Sequence, residues 1–71
     1  MMNKLEKLNN SLTALKVVKT KESYDIYLAE LQIGFINRKM NNMLTVKIPK
    51  KSTDWYLEDL KKIAEFNRDL N

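Results

Sequence analysis

Cysteine and histidine are both absent from this chain of 71 residues. A protein without cysteine forms no disulfide bond and offers no thiolate to a metal ion. Without histidine it also lacks the usual zinc ligand and the side chain that most often transfers protons near neutral pH. We therefore expect no metal site, and two common routes for stabilising a very small domain are closed.

Glycine is almost absent too, since Gly34 is the only one. A loop that cradles phosphate groups needs several glycines, so the sequence indicates no loop of this kind. The three serines have no histidine to activate them as nucleophiles. The neighbouring acids Glu58 and Asp59 point about 100° apart on a helix and do not converge. The sequence predicts no catalytic residue and no cofactor, and we expect that the protein is not an enzyme.

Long apolar runs are missing as well. No segment is apolar over the roughly 20 residues that a membrane-spanning helix needs. Residues 1–7 carry charge without the apolar stretch of a secretory signal. We expect a cytoplasmic protein that does not contact membranes.

The composition, with 44% hydrophobic and 31% charged residues, is typical of a globular protein. We expect one small domain over residues 1–71, which buries only about 60% of the surface that the unfolded chain exposes. Self-association is the remaining route to extra stability, so a homodimer is one expectation. A well-packed monomer is the alternative.

The net charge of +4 is unevenly distributed along the chain. No acid lies between Leu31 and Thr53. The bases in that stretch are Arg38, Lys39, Lys47, Lys50 and Lys51. Residues 54–71 instead hold five acids against three bases. The middle of the chain is therefore basic and its C-terminal part is mildly acidic.

The first elements follow from a leucine stripe and its interruption. Leucines recur at helical spacing, at Leu5, Leu8, Leu12 and Leu15. Residues 9–11 are Asn, Asn and Ser, whose side chains compete with the helical backbone for hydrogen bonds. We expect a helix over residues 3–10 and a strand from Leu12 to Thr20, which is rich enough in β-branched residues.

Between residues 24 and 35 the apolar residues change parity. Two sets alternate, Tyr24, Ile26 and Leu28, then Leu31, Ile33 and Phe35. One flat strand cannot place both sets on the same face, so we expect a long strand with a bulge or bend near residues 29–30. The spacing from Tyr24 to Phe35 also fits an amphipathic helix, which leaves residues 22–40 open between strand and helix.

The C-terminal third predicts a strand followed by a helix. Asn41 and Asn42 suit a tight turn, and residues 43–48 then alternate as a strand, so residues 31–49 make a plausible hairpin. Pro49 ends the strand, and residues 52–54 can cap the next helix. The predicted core arc of that helix contains Tyr56, Leu57, Leu60, Ile63, Ala64 and Leu70.

These elements predict an α+β fold in the order α-β-β-β-α. A three-stranded antiparallel sheet with a long bent middle strand would be covered on one face by the N- and C-terminal helices. The other face would be exposed to solvent.

The first candidate site is a protein-binding surface. Trp55 and Phe66 fall outside the predicted core arc, with Asp59 and Lys62 between them on the same flank. Large aromatic side chains off the core are typical binding anchors. Met40 and Met43 bracket the Asn pair and could add an adaptable contact. The alternatives are that Trp55 covers the edge of the core, or that the flank is a homodimer contact.

The second candidate site is a nucleic-acid surface. If the hairpin forms, Arg38 and Lys39 lie near its tip, and Lys47, Lys50 and Lys51 line its return and exit. A basic β-ribbon can follow phosphate groups. The simpler interpretation is that these residues form a solvated face and protect a strand edge from pairing.

The sequence therefore favours a small, non-catalytic protein-binding module. Very small, cysteine-free chains rich in Lys and Asn resemble phage or mobile-element proteins that target host machinery. That resemblance implies a larger host protein as the partner, which the module would inhibit or redirect. Nucleic-acid binding through the hairpin around residues 38–51 is the alternative.

Overall fold

The protein is described by a computed structural model that covers residues 3–47 and 56–70. It contains two helices and four strands: α1 Lys4–Ser11, β1 Leu15–Lys19, β2 Ser23–Leu28, β3 Leu31–Asn37, β4 Met43–Val46 and α2 Leu57–Leu70. The predicted α+β class is confirmed, and the helix alternative for residues 22–40 is wrong. The sheet has four strands where three were predicted.

The strands form an antiparallel meander in the order β1-β2-β3-β4. Both helices pack on one face of this sheet, where a single core joins them to the strands. The largest fully buried side chains of that core are Tyr56, Ile26, Ile36, Ile63 and Val17. The helices therefore cover one side of the sheet, and the opposite side carries no described element.

The change of parity after Leu28 is a hairpin turn rather than a bend within one strand. Leu28 pairs with Leu31 across a two-residue connection, and Ala29 adopts a positive φ of 56° there. A two-residue hairpin loop requires this left-handed backbone for at least one of its residues. The predicted long middle strand is thus divided into β2 and β3, which accounts for the fourth strand.

A bulge in β3 changes the parity once more. The register passes from Ile26 opposite Gly34 to Tyr27 opposite Gln32, which leaves Ile33 as the extra residue. Ile33 is buried in the core, and a Cβ at Gly34 would collide with the carbonyl oxygen of Thr45 on β4. The only glycine of the chain therefore lies next to the bulge, where a side chain does not fit.

The turn residues behave as their chemistry predicts. Asn41 and Asn42 have φ values of 55° and 56° between β3 and β4, a conformation that asparagine tolerates better than most residues. Between β1 and β2, the Thr20 hydroxyl accepts the Ser23 backbone N–H at 3.0 Å. The predicted hairpin formed by β3 and β4 is confirmed.

The helix α1 begins and ends where its side chains dictate. The Asn3 side chain accepts the Glu6 backbone N–H at 2.8 Å, which caps the N-terminus. At the other end the Ser11 hydroxyl donates to the Leu8 carbonyl oxygen at 2.8 Å. Leu8 is the buried residue of this short helix, so α1 is held mainly by its contacts with the rest of the fold.

The buried arc of α2 is rotated relative to the predicted one. The helix buries Asp59, Ile63 and Phe66, whereas Leu57 is 39% exposed. Pro49 and the predicted cap at residues 52–54 lie outside the described residues. Within the part of the chain that the structure describes, neither helix is long and apolar enough to span a bilayer.

Candidate binding surface

No described helix covers the side of the sheet that faces away from the core. Cross-strand partners share a face of the sheet, so the register defines its members. We call this the open sheet face, and it consists of Lys16, Val18, Ser23, Asp25, Tyr27, Gln32, Phe35, Asn37, Met43 and Thr45. Its apolar members take no part in the hydrophobic core.

Two aromatic residues occupy the centre of this face. Tyr27 on β2 and Phe35 on β3 lie diagonal to each other on the two central strands. Each side chain is only partly buried, and no described helix packs over it. Beside Phe35, a shallow depression of about 250 Å³ is also lined by Thr45 and Lys47. The centre of the open sheet face thus offers aromatic surface next to a recess.

The position of Phe35 corrects a prediction. The alternation of Leu31, Ile33 and Phe35 predicted that all three share one face. The bulge at Ile33 reverses the parity, so Ile36 enters the core and Phe35 turns to the open sheet face. Tyr27 was not among the predicted site residues, although its position between the inward-facing residues Ile26 and Leu28 indicates the outer face.

Apolar residues also extend to the margins of the open sheet face. Met43 on β4 is 51% exposed, and Val18 on β1 is 38% exposed. Met40, at the tip of the β3–β4 hairpin, is 55% exposed. The structure therefore leaves both predicted methionines accessible, with Met43 on the open sheet face and Met40 beyond its edge.

The open sheet face carries one base and one acid, and Lys47 adds a second positive charge beside it. Lys16 lies on β1, opposite Tyr27, and Lys47 follows β4, where its backbone N–H donates to the Ile33 carbonyl oxygen at 2.7 Å. The acid among the members is Asp25, whose carboxylate accepts the Ser23 hydroxyl at 2.6 Å. The aromatic centre is thus flanked by lysines on either side.

Two described residues of the predicted flank of α2, Phe66 and Asp59, are not exposed. Phe66 is only 7% exposed and packs edge-on against Tyr24, with ring centroids 5.4 Å apart. Asp59 is completely buried. The expectation that these two residues lie on an outer flank is wrong, because Phe66 packs against Tyr24 of β2 and Asp59 accepts backbone N–H groups of residues 13–15. Trp55 lies outside the described residues.

Asp59 instead connects α2 to the segment that enters β1. Its carboxylate accepts the backbone N–H groups of Thr13 at 3.1 Å, Ala14 at 2.6 Å and Leu15 at 2.9 Å, and also the Thr13 hydroxyl at 3.1 Å. Burial alone would raise the pKa of this carboxyl. The hydrogen bonds from Leu15, Ala14 and Thr13 outweigh that effect and lower its pKa below the ordinary value of 3.8.

Lys62 is the exposed member of the predicted flank. Its ammonium donates to the carbonyl oxygen of Ser11 at 2.7 Å, which places a positive charge at the C-terminus of α1. It also borders a groove of about 390 Å³ between the two helices, together with Lys4, Lys7, Glu65 and Asp69. Three lysines and two acids line this groove, so its charge is mixed.

The predicted basic surface is divided in the structure. Arg38 lies over the Tyr24 ring at 5.5 Å and donates to the Thr20 carbonyl oxygen at 2.8 Å. Lys39 pairs with Glu22 at 2.9 Å. Both lie at the hairpin tip, whereas Lys47 lies at the far end of β4, about 14 Å along the strand from its start. Lys50 and Lys51 lie outside the described residues.

Comparisons with protein-family models, with curated proteins and with solved structures found no match to this chain. Within residues 3–47 and 56–70, no group of three or more acidic side chains could hold a metal ion. The open sheet face therefore has to be interpreted from its own chemistry.

Proposed function

We propose that this protein is a non-catalytic binding module that docks a larger protein on its open sheet face. The observation that carries the proposal is the pair Tyr27 and Phe35, which lie partly exposed on the central strands and are covered by none of the described elements. Aromatic side chains of this kind supply most of the energy in many protein interfaces.

The surroundings of the pair support the same interpretation. Val18 and Met43 are exposed apolar residues at the two margins of the same face, and apolar side chains exposed together are typical of an interaction site. Met43 can adapt to different partner surfaces because its side chain is flexible and polarisable. Inhibition or redirection of the partner would follow from occupation of its surface.

The test compares two photo-crosslinking variants in a lysate of the cells in which the protein acts. A benzophenone amino acid replaces Phe35 in one variant and Leu57 in the other. Leu57 is a matched control because it is 39% exposed but lies on the helical layer. We expect a discrete covalent adduct from the Phe35 position alone.

The partner identified by that adduct then allows a quantitative test. We expect Phe35→Ala to raise the Kd for the partner by roughly 30-fold, as for an aromatic anchor, and Leu57→Ala to leave it unchanged. Equal adducts from both positions, or a Kd that Phe35→Ala does not change, would exclude the open sheet face as the docking surface.

A second candidate function is binding of single-stranded nucleic acid on the same face. It is favoured by Lys16 and Lys47, which flank the aromatic pair, because bases stack on aromatic side chains while lysines contact phosphates. Fluorescence anisotropy with labelled single-stranded oligonucleotides tests it. Binding that weakens steeply with salt and is lost in Phe35→Ala supports this candidate, and no binding at low salt eliminates it.

A further inference from the structure

The two edge strands of the sheet, β1 and β4, differ in whether described side chains bind their outward backbone groups. Each edge strand presents backbone N–H and C=O groups that its single neighbouring strand does not use. Thr20, directly after β1, is hydrogen-bonded to Ser23, and in an antiparallel pair every second residue of a strand bonds to its neighbour in this way. The residues between them direct their backbone groups outward, and on β1 these are Leu15, Val17 and Lys19. On β4, Lys47 donates its backbone N–H to the Ile33 carbonyl oxygen, so the residues with outward backbone groups are Leu44 and Val46.

The edge of β1 is closed by side chains. Asn9 donates its amide to the Val17 carbonyl oxygen and accepts the Val17 N–H, both at 2.9 Å. Asp59 accepts the Leu15 N–H at 2.9 Å. Lys16 and Lys19 add positive charge to the same strand. No further strand can pair with β1 at Leu15 or Val17 without displacing these partners.

Within residues 3–47 and 56–70, nothing protects the edge of β4 in a comparable way. Among the described residues, no backbone or side chain donates to or accepts from the outer side of Leu44 or Val46. The strand sequence, Met43–Val46, contains no charge, no proline and no bulge. Edge strands without such devices are the ones that pair with another chain.

We propose that a second copy of this chain pairs with β4 in antiparallel register about a twofold axis at Thr45. The register follows from the two residues whose backbone N–H and C=O groups point away from β3. Leu44 of one copy forms a hydrogen-bonded pair with Val46 of the other, and the twofold axis generates a second, identical pair. Thr45 then lies opposite Thr45 of the second copy, and Met43 lies opposite Lys47. The two sheets join into one sheet of eight strands.

The side chains favour the paired β4 strands of the dimer over the unpaired β4 strand of a monomer. Leu44 and Val46 lie at the margin of the core and are only partly buried in one copy, so their pairing across the axis continues the core from one copy into the other. On the opposite side, threonines that face each other are a favourable cross-strand pair. The lysines at residue 47 do not meet, since each faces a methionine.

This inference does not depend on the proposed function. The dimer uses the edge of β4, whereas the proposed partner docks on the open sheet face. The row that runs from Val18 through Asp25 and Phe35 to Thr45 would simply continue into the same row of the second copy. One dimer would present two aromatic centres on one continuous surface.

Cysteine crosslinking tests the register directly, because the natural chain has no cysteine. Residues that face each other in a pair without hydrogen bonds are about 4.5 Å apart between Cα atoms, which is within the range of a disulfide. We expect Thr45→Cys to form a covalent dimer on mild oxidation. Val18→Cys is the matched control, exposed on the same row but at the far edge, and it should remain monomeric.

Sedimentation velocity on the unmodified full chain supplies the second measurement. Because a single pair of short strands buries little area, we expect a reversible dimer in roughly the micromolar to millimolar range. Thr45→Lys places two like charges opposite each other and should weaken the dimer by about fivefold or more. Far-UV circular dichroism confirms that each variant is folded.

The outcomes are decisive in both directions. A Thr45→Cys dimer together with a monomeric Val18→Cys supports the proposal, as does a dimer that Thr45→Lys dissociates. A folded wild-type protein that stays monomeric throughout this range overturns it. Equal crosslinking of both cysteine variants also overturns it, since it indicates random collision.

Discussion

Asn9 and Val17 form a reciprocal pair in which a side-chain amide takes the place of a strand. Asn9 Nδ2 donates to the Val17 carbonyl oxygen and Asn9 Oδ1 accepts the Val17 N–H, each at 2.9 Å. The amide group has the same donor and acceptor as a peptide bond, so it satisfies both edge groups of Val17 at once. The pair also holds α1 against β1.

Loss of this pair should destabilise the protein and expose β1. We expect Asn9→Ala to lower the free energy of unfolding by about 2 kcal/mol, because two partly buried backbone groups lose their partners. Asn9→Asp has the same shape but no donor, and should cost a similar amount. Urea denaturation measures both. A change below about 0.5 kcal/mol in Asn9→Ala would show that water replaces the amide without loss.

The buried carboxylate of Asp59 should make stability depend on acid. Its pKa is lower in the folded than in the unfolded protein, so its contribution is complete above the ordinary value of 3.8 and is lost as the pH falls through the folded pKa. Below that pH both states are protonated and the contribution is gone. Thermal unfolding between pH 2 and pH 6 measures the effect.

Variants separate this carboxylate from its neighbours. Asp59→Asn should remove its part of the pH dependence, and Asp59→Ala should cost about 3 kcal/mol at pH 7, because several backbone N–H groups lose a charged acceptor. Glu58→Gln is the matched control, since that side chain is 74% exposed in its pair with Lys61. If Asp59→Asn keeps the wild-type pH profile, other carboxyls cause it.

The turn between β2 and β3 should be stabilised by glycine. Ala29 holds a φ of 56°, a conformation that costs a residue with a Cβ roughly 1 kcal/mol. We therefore expect Ala29→Gly to raise the free energy of unfolding by about 0.5 kcal/mol, after the greater flexibility of the unfolded chain is subtracted. Differential scanning calorimetry would detect the rise in Tm.

The same substitution elsewhere is the control for that turn. Ala64→Gly lies within α2 and should lower stability by about 1 kcal/mol, because glycine is a poor helix former. Opposite signs for the two variants would confirm that the left-handed turn decides the result. A lower Tm for Ala29→Gly would contradict the turn geometry.

Two phenylalanines should respond very differently to truncation. Phe66→Ala removes a buried ring that contacts Tyr24 and should cost about 3–4 kcal/mol. Phe35→Ala, on the open sheet face, should cost less than about 1.5 kcal/mol. Chemical denaturation of the two variants gives the comparison. Equal losses would mean that Phe35 is as much a core residue as Phe66.

Local patterns were enough to predict most of the elements. The Ser11 hydroxyl binds the Leu8 carbonyl in the last turn of α1, and the Asn pair turns the chain into β4, because these side chains favour particular backbone conformations in their own segments. The strand–turn–strand pattern from Leu31 to Val46 was predicted for the same reason. The split at Ala29 was missed because alanine gives no signal for a left-handed turn.

The candidate surface was harder to predict because it depends on which alternate residues of each strand face the core. A single extra residue at Ile33 exchanges the faces of every residue that follows in β3, which brings Ile36 inside and Phe35 outside. Similarly, the spacing of residues along α2 could not show that Asp59 accepts the backbone N–H groups of Thr13, Ala14 and Leu15. Those donors lie more than forty residues earlier in the chain.

The sequence by itself determined the α+β class, the two helices and the turn at Asn41–Asn42, since these follow from spacing and local hydrogen bonding. Only the tertiary structure decided which face of α2 is buried, where Phe35 points and which edge of the sheet is closed. These features depend on contacts between residues far apart in the chain, such as Asn9 with Val17 and Asp59 with Thr13. No local pattern records such contacts, because their energy exists only after the elements have packed.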